Sequence, residues 1–400
     1  MTSGFEGFLL SEKINIAIIG GGIVGCWIAL ELSRSEKDVF LFEKNPGITT
    51  GENQSSRNSG VNHAGINYDP DTRPLKARLC VEGNRMWEDF CAQYSLPFIK
   101  VGKLMVALRE EEDRELDLYE RRAFQNNVPD VRKITAEEAR EIEPNVKGKS
   151  ALLIPSSGVF EPTSLLRQVY FLASNQGVQF MTGTEVVGID AQQGKLSIKI
   201  RYQDGSMDWV ETQKIINAGG VKAVSLARMV DVDFPLKTAL IRGDSMKFNR
   251  KERGDLYLKG TNVYPTPRTV KTPFGFQSTV GVHLTPMFDI IDGKFIIGDT
   301  VMVGPRLTVV NSDDDFQTPM PEPESFVHDT GCFFPGLKAV DLTPNFGGIQ
   351  ARLDGYPDFY IARDRLYDDI VHLAGIDSPG FTAAPAIARH VVNRFFESPA

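Results

Sequence analysis

The stretch INIAIIGGGIVGCWIALEL, residues 14–32, has two incompatible interpretations. Between Ile14 and Leu30 it has no charged side chain, yet this run of 17 residues only reaches the short limit of the roughly 17 to 25 that cross a bilayer. Its three adjacent glycines would destabilise an isolated membrane helix. A buried strand, a glycine turn and a helix account for every residue, so the pattern favours a soluble β-turn-α unit.

The composition is that of a folded protein large enough for two domains. The chain has 400 residues, 42% of them hydrophobic and 24% charged, which is ordinary for a globular protein. Its net charge of -8 disfavours nucleic acid, because phosphate binding depends on clustered Lys and Arg. Four cysteines and five histidines form no metal-like spacing, and no targeting pattern opens the chain. We expect a cytoplasmic protein without a metal site or a transmembrane segment.

The glycines have the spacing of a dinucleotide-binding turn. Gly20 permits a tight turn, Gly22 allows a pyrophosphate to approach the backbone, and Gly25 allows the helix to lie against the strand. The positive N-terminus of that helix would then hold the diphosphate. The next strand, DVFLFEK, ends near Glu43, 21 residues after Gly22, where a carboxylate can bind a ribose. Together these features predict a dinucleotide site.

Two later stretches distinguish FAD from NAD. KIINAGG at 214–220 is an apolar strand that runs into a glycine turn, and TEVVGID at 184–190 is a strand that could offer the main chain of Val186 to an adenine. With the first motif they resemble the FAD-binding domain of D-amino-acid-oxidase-like flavoproteins. The resemblance implies an α/β protein with a Rossmann-like FAD-binding domain and an inserted β-rich (α+β) substrate or cap domain.

The loop SSRNSGVNHAGINYDPDTRPLKARLCVEG, residues 55–83, narrows the family. It is dense in hydroxyls, amides and backbone donors, which could bind a diphosphate and a flavin ring. It looks like the corresponding loop of L-2-hydroxyglutarate dehydrogenases and oxidases. YPTP at 264–267, GVHLTP at 281–286 and LAGIDSPGFTAAPAIARHV at 373–391 extend that resemblance over most of the chain.

The resemblance and the dinucleotide motif together imply a set of cofactor-binding residues. The last three of them would form a helix N-terminus that stabilises the anionic reduced flavin. The expected residues are Gly20, Gly22, Ile23, Val24, Gly25, Glu43, Lys44, Ser56, Asn58, Ser59, Gly60, Val186, Ala218, Gly219, Gly380, Phe381 and Thr382.

The order of the predicted elements indicates a discontinuous FAD-binding domain. Strand-helix alternation occurs at the start, near 162–229 and at the end, whereas 236–334 is mostly strand and loop. We assign residues 1–90, 150–235 and 335–400 to the FAD-binding domain, and 91–149 and 236–334 to the substrate or cap domain. In the charged segment 110–143, residues 110–127 and 135–143 are predicted to be helical and solvated.

Oxidation of a hydroxy acid needs a base for the hydroxyl proton while a hydride passes from C2 to flavin N5. Neutral imidazole suits that step, so His63 and His283 are candidate catalytic residues, and the resemblance places Tyr264 beside the flavin. His63 is also a candidate for covalent flavin attachment. A carboxylate substrate calls for arginine; Arg352 is our candidate.

Two further arginines are alternatives, and two stretches differ from the family pattern. Arg306 and Arg242 could also bind the carboxylate. Gln350 stands where the family tends to have a cation, and Gly298-Asp299-Thr300 replaces a usual G-P-N, so both changes are expected to affect substrate binding. Asp313-Asp314-Asp315 is interpreted as an exposed turn rather than a metal site.

The leading hypothesis is FAD-dependent oxidation of a small 2-hydroxy acid, with L-2-hydroxyglutarate giving 2-oxoglutarate as the first candidate. An amine or amino-acid oxidase acting on glycine, sarcosine or a D-amino acid is the alternative within the same fold. A flavin-binding subunit without catalysis is a third reading. Oxygen, a quinone and another protein all stay open as electron acceptors.

Overall fold

The computed structural model describes residues 13–50, 53–192, 194–256 and 258–396. The amino-terminal residues 1–12, most of the segment in which no targeting pattern is expected, lie outside the described residues. Within the described part of the chain, no helix combines the length and the apolar character that a bilayer crossing requires.

Eight α-helices are defined among the described residues. They are α1 (Ile23–Leu32), α2 (Pro74–Tyr94), α3 (Glu110–Gln125), α4 (Ala136–Ile142), α5 (Pro162–Asn175), α6 (Ala223–Val230), α7 (Pro323–Thr330) and α8 (Gly380–Phe395).

The strands alternate with these helices in the first and last parts of the chain. They are β1 (Lys13–Ile19), β2 (Val39–Glu43), β3 (Val61–Asn62), β4 (Phe98–Ile99), β5 (Lys103–Ala107), β6 (Arg132–Thr135), β7 (Ser150–Ile154), β8 (Gly158–Phe160), β9 (Gln179–Thr182), β10 (Thr184–Gln192), β11 (Lys195–Tyr202), β12 (Met207–Asn217), β13 (Ile241–Asn249), β14 (Asn262–Pro265), β15 (Arg268–Thr272), β16 (Gly275–Thr279), β17 (His283–Ile291), β18 (Lys294–Val309), β19 (Thr343–Ile349), β20 (Tyr360–Arg363) and β21 (Ile370–Ala374).

The first large sheet has a parallel centre in the order β9-β2-β1-β12-β21. β20 pairs antiparallel with β21, and the β10-β11 hairpin continues antiparallel from β12. β1 and β2 are almost wholly apolar and buried, as expected for strands that are covered on both faces. The carboxyl ends of the parallel strands therefore meet at one edge, where α/β proteins bind ligands.

The second large sheet has the order β19-β13-β18-β17-β14-β5-β7-β6, and only its β14-β5 pair is parallel. Its apolar face packs against a separate core that includes Phe248, Phe326, Phe333 and Phe334. The predicted α/β class with a β-rich second unit is confirmed.

The domain limits stay a prediction, but strand pairing groups two segments differently from the assigned ranges. β7 pairs with β5 and β6, and β19 pairs with β13, so both belong to the second sheet. Both fall within ranges assigned to the FAD-binding domain. Chain position alone did not identify their partners, because a strand joins a sheet through hydrogen bonds to residues that are distant in sequence.

The two charged stretches of residues 110–143 that are predicted to be helical, 110–127 and 135–143, correspond to α3 and α4, so that prediction is confirmed. β6 separates α3 from α4 and pairs with the edge of the second sheet. In β6 only Ile134 is buried, and its charged neighbours suit an edge strand that faces solvent. α4 begins with a capping box in which Thr135 accepts from the Glu138 amide, which explains why the helix begins immediately after the strand.

Aromatic packing fixes α1, α2 and α8 against each other beneath the first sheet. The Trp27 ring of α1 lies 5.4 Å from Trp87 and 4.9 Å from Phe90. On α2, a Cβ at Gly83 would lie 2.1 Å from the carbonyl oxygen of Thr382, so only glycine permits this approach of α2 to α8. These contacts hold the start of α8 beside the edge where β1 ends.

The turn between β1 and α1 leaves no space for side chains at two glycines. Gly20 has φ +110°, which favours glycine, and a Cβ there would lie 2.5 Å from the Ala218 carbonyl oxygen. A Cβ at Gly25 would lie 2.0 Å from the Gly20 carbonyl oxygen. The tight turn at Gly20 and the close packing of the helix at Gly25 are therefore both visible in the backbone.

Substitution of Gly25 by alanine tests this packing. At an open helical site alanine would stabilise the protein, but here the methyl group overlaps backbone, so we expect the free energy of unfolding to fall by about 1–3 kcal/mol. Gly254→Ala is the matched control because nothing lies within 4 Å of its added Cβ. Denaturant unfolding of both variants measures the difference, and equal stabilities would contradict the packing argument.

Candidate functional site

A cavity of about 690 Å³ lies where the carboxyl ends of the first sheet face the second sheet. Its wall includes Gly22 after β1, Ala218 after β12 and Asp377 after β21, together with His283 of β17 and Ile349 of β19. This volume is within the range of about 300–1,000 Å³ that is usual for small-molecule sites. The position is also the one expected for a ligand of an open α/β sheet.

The N-terminus of α1 opens on this cavity. Gly22 precedes the helix without a side-chain cap, and Ile23 N donates to Ser55 Oγ at 2.9 Å. Gly22, Ile23 and Val24 lie on the cavity wall. First-turn amides at a positive helix end form a site for an anion such as a diphosphate.

Glu43 supports the glycine turn directly. Its carboxylate accepts from Gly21 N at 2.7 Å and from Asn45 N at 2.9 Å, and the residue is 7% exposed. It does not lie on the cavity wall. Its proposed contact with a ribose stays a prediction, while its contact with the turn is part of the structure.

The loop between β2 and β3 is held in shape by its own amide side chains. Asn58 Oδ1 accepts from Gly60 N at 2.9 Å, and Asn58 Nδ2 donates to Ser55 O at 2.7 Å. Gly60 has φ +65°, and a Cβ there would lie 2.4 Å from Phe160 O. The bonds present Asn58 and Ser59 to the cavity, so the loop shape is encoded locally.

A second helix N-terminus reaches the same cavity. α8 begins at Gly380 without a side-chain cap, and Gly380, Phe381 and Thr382 lie on the wall. Thr382 Oγ1 accepts from His63 N at 3.1 Å and donates to Val61 O at 3.2 Å. Two positive helix ends on one elongated cavity fit a dinucleotide that carries negative charge at two places.

His283 presents an unprotonated ring nitrogen to the cavity. Its Nδ1 lies 3.1 Å from Gly281 O, so Nδ1 carries the ring proton and Nε2 carries the lone pair. Nε2 is buried and has no hydrogen-bond partner among the described residues. Burial lowers the pKa of His283 to about 3, which keeps the imidazole neutral near pH 7.

His63 lies on the same wall and is also held neutral. Burial, followed by the charges of Lys103 and His283, holds its pKa well below 6.5. Nε2 lies 3.4 Å from Ser378 Oγ, and buried Nδ1 has no partner in the described part of the chain. The two imidazoles therefore approach one cavity from different parts of the chain.

Tyr264 does not lie on the cavity wall, although the sequence places it among the catalytic candidates. It is fully buried, and its ring stacks on His283 with centroids 3.8 Å apart and planes at 13°. This contact orients the imidazole. A catalytic role for Tyr264 stays a prediction, and the structure shows it as a support for His283.

Lys103 is a buried cation that the sequence analysis missed. Its Nζ lies 4.1 Å from the centroid of the Tyr264 ring, and the residue is 2% exposed. Burial lowers its pKa to about 8, and the aromatic face partly compensates for lost hydration. A lysine at the head of the otherwise apolar strand KLMVA was the signal available in the sequence.

Arg352 is held on the wall by a carboxylate that it shares with a lysine. Asp377 accepts from Arg352 Nε at 3.2 Å and from Lys76 Nζ at 2.6 Å. All three side chains are mostly buried and lie on the cavity wall. The sequence analysis did not identify Lys76 or Asp377, because their charges are paired only in the folded chain.

The two alternative arginines lie elsewhere. Arg242 donates to Asp244 Oδ1 at 2.6 Å and to Thr318 O at 2.7 Å, and Arg306 is bound to Asp329. Neither is part of the cavity wall. Arg352 is therefore the one of the three that can reach a ligand there.

The cavity brings together most of the predicted catalytic and cofactor-binding residues. Those on its wall are Gly22, Ile23, Val24, Asn58, Ser59, His63, Ala218, His283, Arg352, Gly380, Phe381 and Thr382. Those away from its wall are Gly20, Gly25, Glu43, Lys44, Ser56, Gly60, Val186, Gly219 and Tyr264. Several of the second group shape the turns on which the first group lies.

The two departures from the family pattern have different positions. Gln350 lies on the cavity wall, and its Oε1 is buried with no partner among the described residues. Gly298-Asp299-Thr300 is not part of the wall, and Asp299 pairs with Arg250 at 2.6 Å instead. The expectation that this second change affects substrate binding stays a prediction.

The acidic triplet forms a hydrogen-bonded turn. Asp313 pairs with Lys222 at 2.7 Å, and Asp315 Oδ1 accepts from Thr318 N at 2.9 Å. Across the described ranges, no group of three or more His, Cys, Asp or Glu side chains is arranged to hold a metal ion.

Comparison with known proteins agrees with this geometry. A family model described as FAD dependent oxidoreductase (DAO) matches residues 15–394. The mitochondrial L-2-hydroxyglutarate dehydrogenase of Caenorhabditis briggsae is 32% identical, covering 95% of this chain and 93% of that protein. Its counterpart from Arabidopsis thaliana is 28% identical, covering 98% and 86%.

A solved structure shows the same fold with its cofactor. The dithionite-reduced L-alpha-glycerophosphate oxidase from Mycoplasma pneumoniae, with FAD bound, has a TM-score of 0.81 and 27% identity, covering 97% of this chain and 96% of that one. The predicted cofactor, FAD, is confirmed together with the predicted class of oxidoreductase. The chain belongs to the DAO family of FAD-dependent oxidoreductases.

Proposed function

We propose that this enzyme oxidises L-2-hydroxyglutarate to 2-oxoglutarate. The observation that carries the proposal is the buried, unpartnered Nε2 of His283, a residue on the wall of the cavity that also contains the two helix N-termini. The relative from Caenorhabditis briggsae, named as an L-2-hydroxyglutarate dehydrogenase, supports the choice of substrate. The proposal includes a cytoplasmic location. It leaves oxygen, a quinone and another protein as the candidate electron acceptors.

His283 acts as the general base. Its Nε2 takes the hydroxyl proton, and its Nδ1 stays bound to Gly281 O, so the ring keeps its orientation. When bound, FAD supplies the acceptor for the hydride that leaves C2 with both electrons. The C2 carbon thereby becomes the carbonyl of the 2-oxo acid, and no further oxidant is needed for one turnover.

Arg352 binds the carboxylate next to the reacting carbon. Asp377 fixes the guanidinium through Nε, which reduces the entropy that a long side chain would lose on binding. The wall contains four cationic side chains and one carboxylate among the described residues, so three positive charges are in excess. They are Arg57, Arg73, Lys76 and Arg352, with Asp377 as the carboxylate.

Glycerol 3-phosphate is the second candidate substrate. It also carries a CH-OH donor beside an anion, and the glycerophosphate oxidase from Mycoplasma pneumoniae has the same fold at a TM-score of 0.81. An amine donor is favoured less, because the excess positive charge of the wall attracts anions and repels ammonium groups.

Anaerobic mixing of the FAD-loaded protein with candidate substrates tests the proposal. L-2-hydroxyglutarate should bleach the visible flavin absorbance within one turnover, while glycine, sarcosine and D-amino acids should leave it unchanged. Glycerol 3-phosphate forms a parallel arm. Bleaching by an amino acid alone, or by none of these compounds, would sink the substrate assignment.

Replacement of His283 by glutamine tests the general base. We expect the rate of flavin reduction to fall by about 10²- to 10⁴-fold because the variant lacks the imidazole that accepts the hydroxyl proton, with substrate affinity changed much less. His328→Gln is the control, since the His328 side chain is 89% exposed and away from the cavity wall. A reduction rate close to wild type in His283→Gln would exclude this residue as the base.

The pH dependence of reduction gives a separate test. A histidine with the ordinary pKa of about 6.5 would be largely protonated at pH 5.5 and would lose its basic form. The pKa of His283 is lowered to about 3, so its neutral form persists and the reduction rate constant should stay nearly flat from pH 7 to pH 5.5, below the pKa of about 8 of Lys103. Stopped-flow absorbance measures it, and a tenfold loss over that range would contradict a neutral buried base.

A further inference from the structure

A guanidinium without a protein partner lies on the wall at the start of α2. Arg73 immediately precedes the helix, with its N donating to Asp69 O at 2.8 Å and its O accepting from Ala77 N at 2.9 Å. Its side chain lies on the cavity wall. Nε is buried without a partner, and no hydrogen bond or ion pair of the side chain is found among the described residues.

The other cations near Arg73 all have partners. Lys76 and Arg352 share Asp377, and Arg122, close to the same loop, pairs with Asp69 at 3.5 Å. Arg73 as a residue is only half-buried, but its Nε is shut off from solvent, and a buried donor without a partner is unfavourable. The unsatisfied guanidinium of Arg73 therefore indicates a ligand anion.

The backbone amides at the start of α2 are not available for this anion. Asp358 already accepts from Leu75 N at 2.9 Å and from Lys76 N at 2.8 Å. The anion-binding group at this end of the cavity is therefore the side chain of Arg73 rather than the helix terminus.

Arg73 is connected to the reacting centre through Tyr68. The positive charge of Arg73 acts to lower the pKa of Tyr68, which burial raises more strongly, and the Tyr68 hydroxyl bonds to Ser378. Ser378 Oγ in turn lies 3.4 Å from His63 Nε2. Arg73, Tyr68, Ser378 and His63 all lie on the same cavity wall, so a ligand anion bound at Arg73 would share that cavity with the imidazole of His63.

We propose that Arg73 binds a second anionic group of the substrate, a carboxylate or a phosphate, at the end of the molecule away from the reacting carboxyl or hydroxyl group. The planar guanidinium fork pairs with either anion through two parallel hydrogen bonds. Arg73 thereby selects hydroxy compounds with a distal charge over uncharged analogues. This inference rests on the proposed function, because it deepens the choice of substrate in the same cavity.

Arg73→Met in the FAD-loaded full chain tests the inference against a matched control. Arg78→Met alters an exposed arginine that lies further along α2 and pairs with Glu82 at 3.3 Å. Each protein is reduced anaerobically with L-2-hydroxyglutarate and with L-2-hydroxybutyrate, which lacks the distal carboxylate. Glycerol 3-phosphate and glycerol form the equivalent pair for a phosphate.

The expected result is selective. Arg73→Met should raise the apparent Kd of the substrate with a distal anion by about 10- to 100-fold and leave its truncated partner within about twofold. Arg73→Lys, which keeps the charge but not the fork, should fall between. The pair that shows this selective loss identifies the anion as carboxylate or phosphate. Equal effects on both members of each pair, or the same effect in Arg78→Met, would overturn the inference.

A binding measurement separates this inference from the proposed function. Glutarate and butyrate cannot be oxidised at C2, but binding beside the flavin perturbs its visible absorbance, and titration gives each Kd. Arg73-dependent binding of glutarate without reduction by any hydroxy acid would reject the function and retain the anion site. Reduction by L-2-hydroxyglutarate together with equal glutarate binding in wild type and Arg73→Met would reject the anion site alone.

Discussion

The contact between backbone atoms of Gly25 and Gly20 is the constraint on which the site depends. With no Cβ at Gly25, α1 packs directly on the turn after β1, and its N-terminus faces the edge of the sheet. A methyl group would force the helix away, since backbone cannot yield as a flexible side chain can. The position of the diphosphate site follows from this approach.

The two candidate histidines reach the cavity from different parts of the fold. His63 is supplied by a loop tied to α8 through Thr382, whereas His283 begins a strand of the second sheet and is oriented by Tyr264. Neither sheet alone contains the set. The carboxyl edge of the first sheet supplies the proposed cofactor-binding residues of the wall, and the second sheet supplies His283, the proposed base.

Burial gives the site its chemical character. Removal from water lowers the pKa of both imidazoles and of Lys103, so neutral bases lie close to a buried cation. At the cavity wall, Arg352 is held by Asp377, while Arg73 retains an unsatisfied guanidinium. The same enclosure that keeps both imidazoles neutral also makes a ligand anion the favoured partner for Arg73.

The sequence by itself determined the β1-turn-α1 unit, the cofactor class and twelve residues of the cavity wall. Gly25 packs against Gly20, which precedes it in the same turn, so the steric reason for this glycine is contained in the local chain. The sequence did not determine that β19 pairs with β13, that Arg306 forms an ion pair with Asp329, or that Arg242 forms one with Asp244. Those outcomes depend on which distant groups meet after folding. Charge pairing and burial are properties of that packing, and only the tertiary structure decided them.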